Sequence, residues 1–200
     1  MDLEQGNIYH LFNQGNNHER IFITTANYSY FLKKIEQHIS PFADILTWCL
    51  MPNHFHLIIA LSAEKSCRIS EQVTQSRQFT LNSSIAIMLR SYTRAINIQE
   101  HRSGSLFRER TKAILLGSLE IEKLKHQNSI KPENSGALNS EEEYLQTCFR
   151  YIHHNPVKAG LVIKDADWEF SSARDFAGIK NESLINKQLA EELGLKISSE

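Results

Sequence analysis

The stretch Ile45-Leu46-Thr47-Trp48-Cys49-Leu50-Met51-Pro52-Asn53-His54-Phe55-His56-Leu57-Ile58-Ile59-Ala60-Leu61 is the most hydrophobic part of the chain. Two dense apolar runs, Ile45 to Met51 and Phe55 to Leu61, are separated by Pro52-Asn53. Proline presets φ and asparagine tolerates tight turns, so the pattern predicts a β-hairpin in a sheet covered on one side. Upstream, Ile8 to Phe12 reads as a short strand that stops at the turn-forming Gln14-Gly15-Asn16-Asn17. Thr25 then caps a helix that carries Tyr28, Phe31, Leu32, Ile35 and Ile39 on one face and ends before Pro41. Downstream, the chain from about Val73 to Gln99 has no Gly or Pro and repeats its apolar residues at helical spacing. Gly104 breaks this helix, and Leu106 to Leu116 reads as a further strand. Strand, helix, strand, strand, helix, strand is the element order of an α+β fold, the ferredoxin-like split βαβ sandwich. There an antiparallel sheet carries both helices on one face.

Gly117 to Ser140 reads as a connecting loop. Glu141-Glu142-Glu143 then opens a helix at the end where the dipole favours negative charge, and Tyr144, Leu145, Cys148, Phe149 and Ile152 line it before Pro156 closes it. Leu184 to Ile197 suits a short amphipathic helix. The domain division expected is one domain over residues 1–178 and a short acidic tail over 179–200.

The 200 residues, 41% hydrophobic and 22% charged with a mean hydropathy of -0.37, describe a soluble globular chain rather than a disordered one. Cys49, Cys67 and Cys148 form no CxxC pair and are odd in number, which predicts free, buried thiols in a reducing compartment. The longest purely apolar run, Leu57 to Leu61, is far short of the roughly 18 residues of a membrane span. Met1 to Asn7 is polar and carries two acids, unlike a secretory leader. A cytoplasmic protein with no membrane partner is expected.

Lys and Arg number 22 against 23 Asp and Glu, a net charge of -1 that announces no nucleic-acid partner. The distribution is uneven. Between Met88 and Lys112 stand six bases, Arg90, Arg94, Arg102, Arg108, Arg110 and Lys112, against Glu100 and Glu109, with Tyr92, His101 and Phe107 interleaved. Arginines among aromatics suit a groove for unpaired bases, through phosphate pairing and stacking. Acidic residues predominate in 117–143 and 181–200 and hide this cluster in the total.

Two constellations carry chemistry. In His54-Phe55-His56 side chains alternate along a strand, so both imidazoles share a face and can chelate a cation while Phe55 turns away. In Tyr151-Ile152-His153-His154-Asn155 a tyrosine and an amide lie one helical turn apart on a common face. Asn155 precedes Pro156, and a residue before proline is pushed out of the α region, which predicts that it sits at a frayed helix end.

Together, Cys49 to Ile59 and Tyr151 to Val162 resemble the IS200-type single-tyrosine transposases of the histidine-hydrophobe-histidine superfamily, especially the branch associated with repetitive extragenic palindromes. Gln14-Gly15-Asn16-Asn17, Gly104 to Arg108 and Trp168 to Ala173 add to the similarity, which spans about residues 7–178. The resemblance implies a ferredoxin-like domain that cuts and rejoins single-stranded DNA. Tyr151 would match the nucleophile, and His54, His56 and Asn155 the metal site, holding Mg²⁺ or Mn²⁺. Arg90, Arg94, Arg102, Arg108, Arg110, Lys112, Asn16 and Asn17 would contact the DNA, a single strand or a hairpin. Gln14 departs from the arginine that often precedes Gly-Asn-Asn, and His154 stands where the family varies. Relatives include homodimers and monomers, so a homodimer is admitted.

The chemistry is coherent on its own terms. A divalent cation on the non-bridging oxygens relieves the repulsion a phosphodiester offers to a nucleophile. A tyrosine hydroxyl must lose its proton as it attacks, and the phosphotyrosyl ester keeps the energy needed for rejoining. Two other readings compete: a catalytically inactive, domesticated hairpin-binding protein, and a zinc site, which would need a third or fourth His or Cys donor.

Overall fold

The structure is a computed structural model that describes residues 1, 3–62, 65, 80–120, 138–179 and 184–197, with 138–143 described by their backbone alone. The chain begins with β1 (Asn7–Gln14), α1 (Thr25–His38) and the hairpin β2 (Asp44–Met51) and β3 (His54–Ala60). Next come α2 (Leu81–Gln99), β4 (Lys112–Ser118) and α3 (Leu138–Lys158). The short helices α4 (Ala173–Phe176) and α5 (Lys187–Glu192) end it. The four strands form one antiparallel sheet in the order β2-β3-β1-β4. With α1 and α2 packed on one face, this is the ferredoxin-like split βαβ sandwich.

Alternation assigns each strand residue to one of two cores. Tyr9, Leu11, Trp48, Leu50, Phe55, Leu57 and Ile59 meet Phe31 and Ile35 of α1 and Ile85, Met88, Tyr92 and Ile96 of α2. Ile8, Cys49, Met51, Ile58 and Ala60 point the other way, against Leu145, Cys148, Phe149 and Ile152 of α3 and Leu189, Ala190, Leu193 and Leu195. The hairpin is therefore covered on both faces rather than one. Its runs are dense because a strand buried on two sides needs apolar residues at successive positions. Residues from 184 onward, set apart by charge as part of a tail, supply side chains to both cores, Leu184 and Ile185 to the first and Leu189, Ala190, Leu193 and Leu195 to the second.

Several boundaries differ from those read in the sequence. Thr24, not Thr25, caps α1: its backbone N–H donates to Asn27 Oδ1 at 2.9 Å. The described part of α2 starts at Leu81, where Thr80 and Ser83 satisfy each other's backbone N–H groups. Residues 73–79 of that predicted helix, Cys67 and most of the expected loop 117–140 lie outside the described residues. Leu106 and Phe107 leave the sheet ladder to enter the first core, so β4 begins only at Lys112. Nothing between Leu138 and Ser140 breaks a helix, and α3 starts at Leu138 rather than Glu141.

Proline does not close α3. The helix runs through Pro156 to Lys158 and is ended by Gly160, whose φ of +69° suits glycine. There the Leu161 N–H donates to the Pro156 carbonyl and the Gly160 N–H to the Val157 carbonyl, both at 2.9 Å, a Schellman closure. Asn155 consequently sits inside the helix, not at a frayed end.

Candidate active site

The register of the sheet assembles one wall of the site. His54 lies opposite Gln14 on one side and Met51 on the other, and His56 lies between Phe12 and Cys49. All face α3. That helix is held by its apolar stripe and by a buried polar pin, His153. The His153 Nε2 shares hydrogen bonds with Thr47 Oγ1 at 2.6 Å and Ser172 Oγ at 2.9 Å. The Ser172 hydroxyl also serves the Trp48 backbone, so three segments lock together at one point.

With α3 pinned, Tyr151 stands against His56. Its ring meets the His56 ring edge-on, with centroids 5.8 Å apart, and it remains 45% exposed. The His54 and His56 rings are 4.9 Å apart. Asn155 lies one turn after Tyr151 and is buried; its amide Nδ2 donates to the Tyr151 carbonyl at 3.0 Å. Its Oδ1 accepts from no donor among the described residues.

Both imidazoles are kept neutral. Burial, with the nearby His18 adding repulsion, lowers His54 to about 4. Burial and then the neighbouring His54 and His10 hold His56 well below its ordinary value. Neutral rings retain a nitrogen lone pair at physiological pH, as a metal ligand requires. The His54 Nδ1–H donates to Asn53 Oδ1 at 2.6 Å, which leaves Nε2 as its lone-pair nitrogen. His56 Nε2 is buried and has no hydrogen-bond partner among the described residues. An orphaned buried nitrogen beside a second imidazole, 4.9 Å away between ring centres, fits a divalent cation. Among the described residues, no three His, Cys, Asp or Glu side chains converge to hold a metal, so the donor set that zinc prefers is not assembled there.

A residue the sequence reading passed over also belongs here. His10 on β1 is buried, stacks on Phe12 with centroids 4.6 Å apart, and shares a 2.8 Å hydrogen bond between its Nε2 and His56 Nδ1. The signal was present in Tyr9-His10-Leu11-Phe12, where the even positions alternate onto one face. Only the pairing register reveals that this face meets His56.

The fold brings the basic cluster together. A groove of about 1430 Å³ between α2 and the 102–114 segment is lined by Arg90, Arg94, Arg102, Arg108, Arg110 and Lys112, with Glu109 the single acid among the described lining residues. Leu89, Phe107 and Ile114 add apolar surface. Arg102 is partly spent on an ion pair with Glu19 at 3.2 Å. The Lys112 ammonium lies 6.0 Å from the Phe12 ring centre, and Phe12 borders His56 at 5.7 Å. Edge strand β4 thus links the groove to the histidine face.

Asn16 and Asn17 do not line this groove. The Asn16 side chain donates to the Ser105 carbonyl at 3.1 Å and its backbone N–H to Leu106, so it braces the adjoining loop. Asn17 is exposed in the left-handed region with φ 50°. Gly15 makes this turn possible, because a Cβ there would collide with the Glu19 carbonyl oxygen.

No protein-family model matches the chain, and no curated protein does. Among the solved structures similar to this chain is a REP-associated tyrosine transposase bound to a REP hairpin, with a TM-score of 0.52 and 16% identity. The match covers 93% of this chain and 94% of that one. At this identity the likeness is one of fold. No helix among the described residues is long and apolar enough to cross a membrane.

Proposed function

We propose that this protein is a single-tyrosine DNA transposase of the histidine-hydrophobe-histidine type, acting on single-stranded DNA next to a hairpin. One observation carries the reading: Tyr151 stands against His56, the neighbour of a second neutral imidazole, His54, and the buried His56 Nε2 has no hydrogen-bond partner among the described residues. The fold shared with a hairpin-bound transposase supports the substrate class.

In this reading the Tyr151 Oη attacks the phosphorus, the bond to the 3′ oxygen breaks, and that oxygen takes a proton from solvent and leaves as a 3′-OH. The hydroxyl proton passes to solvent, and the product is a 5′-phosphotyrosine. His54, His56 and Asn155 would hold Mg²⁺ or Mn²⁺, which supplies charge neutralisation at the phosphate. The exposure of Tyr151 lets a strand reach its hydroxyl, and the arginine groove holds DNA leading to it. Attack on the phosphotyrosine by another 3′-OH reverses the step and joins new ends.

Incubation with a labelled, hairpin-flanked single strand and Mg²⁺ or Mn²⁺ tests the proposal. A covalent protein–DNA adduct is expected with the parent chain and none with Tyr151→Phe. Tight hairpin binding without an adduct under either metal would identify an inactive binding module instead.

A further inference from the structure

The sheet places a third histidine behind the two candidate ligands. From the hydrogen-bonding geometry we infer that His10 is a positioning residue: it accepts the Nδ1 proton of His56 and so fixes the His56 tautomer that aims a lone pair from Nε2 at the metal. This rests on the metal-site reading of His54 and His56 given above.

A neutral imidazole carries one proton on two nitrogens, and its partner decides which. His10 Nε2 and His56 Nδ1 are 2.8 Å apart in a buried setting, so one of the two nitrogens donates. If His10 donated, the His56 proton would sit on Nε2, which is buried without an acceptor. A buried N–H with no partner keeps its full desolvation penalty, whereas a lone pair at the same place stays open to a cation. With His56 donating, Nε2 carries only a lone pair, the form a cation takes up. His54 follows the same scheme, since its Nδ1–H is taken by Asn53 Oδ1. Two different outer partners thereby give both histidines the same orientation of proton and lone pair, as the outer hydrogen bonds of metal sites do.

The surroundings hold His10 in this role. It is held between Phe12, stacked on it with ring centres 4.6 Å apart, and His56, whose ring centre lies 5.0 Å away across the hydrogen bond. Its Nε2 is already engaged, and among the described residues no three metal-binding side chains converge. His10 therefore acts through His56 and not as a third ligand.

The test begins with the metal-free protein. Ring ¹⁵N chemical shifts of His56 should show a protonated Nδ1 and a lone pair on Nε2 in the parent chain, and a tautomer mixture in His10→Leu. His10→Gln, whose amide oxygen can accept the same proton, should restore the parent pattern. Mn²⁺ titration should give an affinity lower by roughly 10- to 100-fold for His10→Leu, with recovery in His10→Gln. Protonated Nε2 in the parent chain, or an unchanged His56 pattern in His10→Leu, overturns the inference. If His10→Leu does not fold, the parent shifts and His10→Gln still decide. Mn²⁺ affinity unmoved by His56→Ala would refute the metal-site reading itself. Affinity lost in His56→Ala but retained in His10→Leu would refute the role of His10 alone.

Discussion

His153 shows how much a single buried side chain can carry. It has no access to solvent, yet its hydrogen bonds to Thr47 and Ser172 fasten the tyrosine helix to the sheet two residues after Tyr151. Burial lowers it to about 3, below the ordinary value near 6.5. Between those values the unfolded chain binds a proton that the folded chain refuses. The stability this group contributes is fully present above about pH 6.5 and is lost as pH falls toward 3. His153→Leu should cost about 1–3 kcal/mol at pH 7, because two hydroxyls lose a buried partner. Urea unfolding at pH 7, 6 and 5 should also show a shallower loss on acidification than in the parent chain. The buried His10 and the half-buried His54, each lowered to about 4, keep the residual slope of the same sign.

Elements divide the labour between the two faces of the sheet. On one face, α2 presents Arg90 and Arg94 to the groove while its Ile85, Met88, Tyr92 and Ile96 anchor it in the core. Neither arginine has an ion pair among the described residues, so replacing both should leave the fold intact. Arg90→Gln with Arg94→Gln should weaken single-strand binding evenly across sequences. If each arginine meets one phosphate, the log-log salt slope should fall by about 1.4; fluorescence anisotropy from 50 to 300 mM salt, roughly the range where such slopes are read, measures it. On the other face, α3 depends on the chain's last described elements. Leu193 packs beneath it, and Leu193→Ala should cost about 2–5 kcal/mol. Thermal unfolding should show that loss, and adduct formation at temperatures near the lowered midpoint should fall with it.

At the scale of the whole molecule, histidines and tyrosine meet within one chain, since Tyr151 lies 5.8 Å from the His56 ring of its own sheet. That arrangement predicts the outcome of mixing two inactive variants. Tyr151→Phe combined with His56→Ala should recover no adduct, whereas a site shared between partner chains would recover it. The net charge of -1 has the same lesson in electrostatic form, because six bases line one groove while the acids lie mostly elsewhere. Under the proposed function, attraction to DNA is local to this groove and should be sensitive to salt.

The elements and their order were legible in the sequence, because period-two and helical patterns of apolar residues are local. The hairpin about Pro52-Asn53 falls between Met51 and His54, as its turn chemistry required. The facing of His54 and His56 to one side followed from strand alternation alone, and the arginine cluster from simple counting. Tertiary structure decided what those residues meet. Strand pairing brought His10 behind His56, and helix packing set Tyr151 above it. The Schellman closure at Gly160 carried α3 past Pro156 and kept Asn155 helical. Local propensity governs which residues form an element. The register between elements and the face each one buries depend on contacts between residues far apart in the chain, which no local pattern encodes.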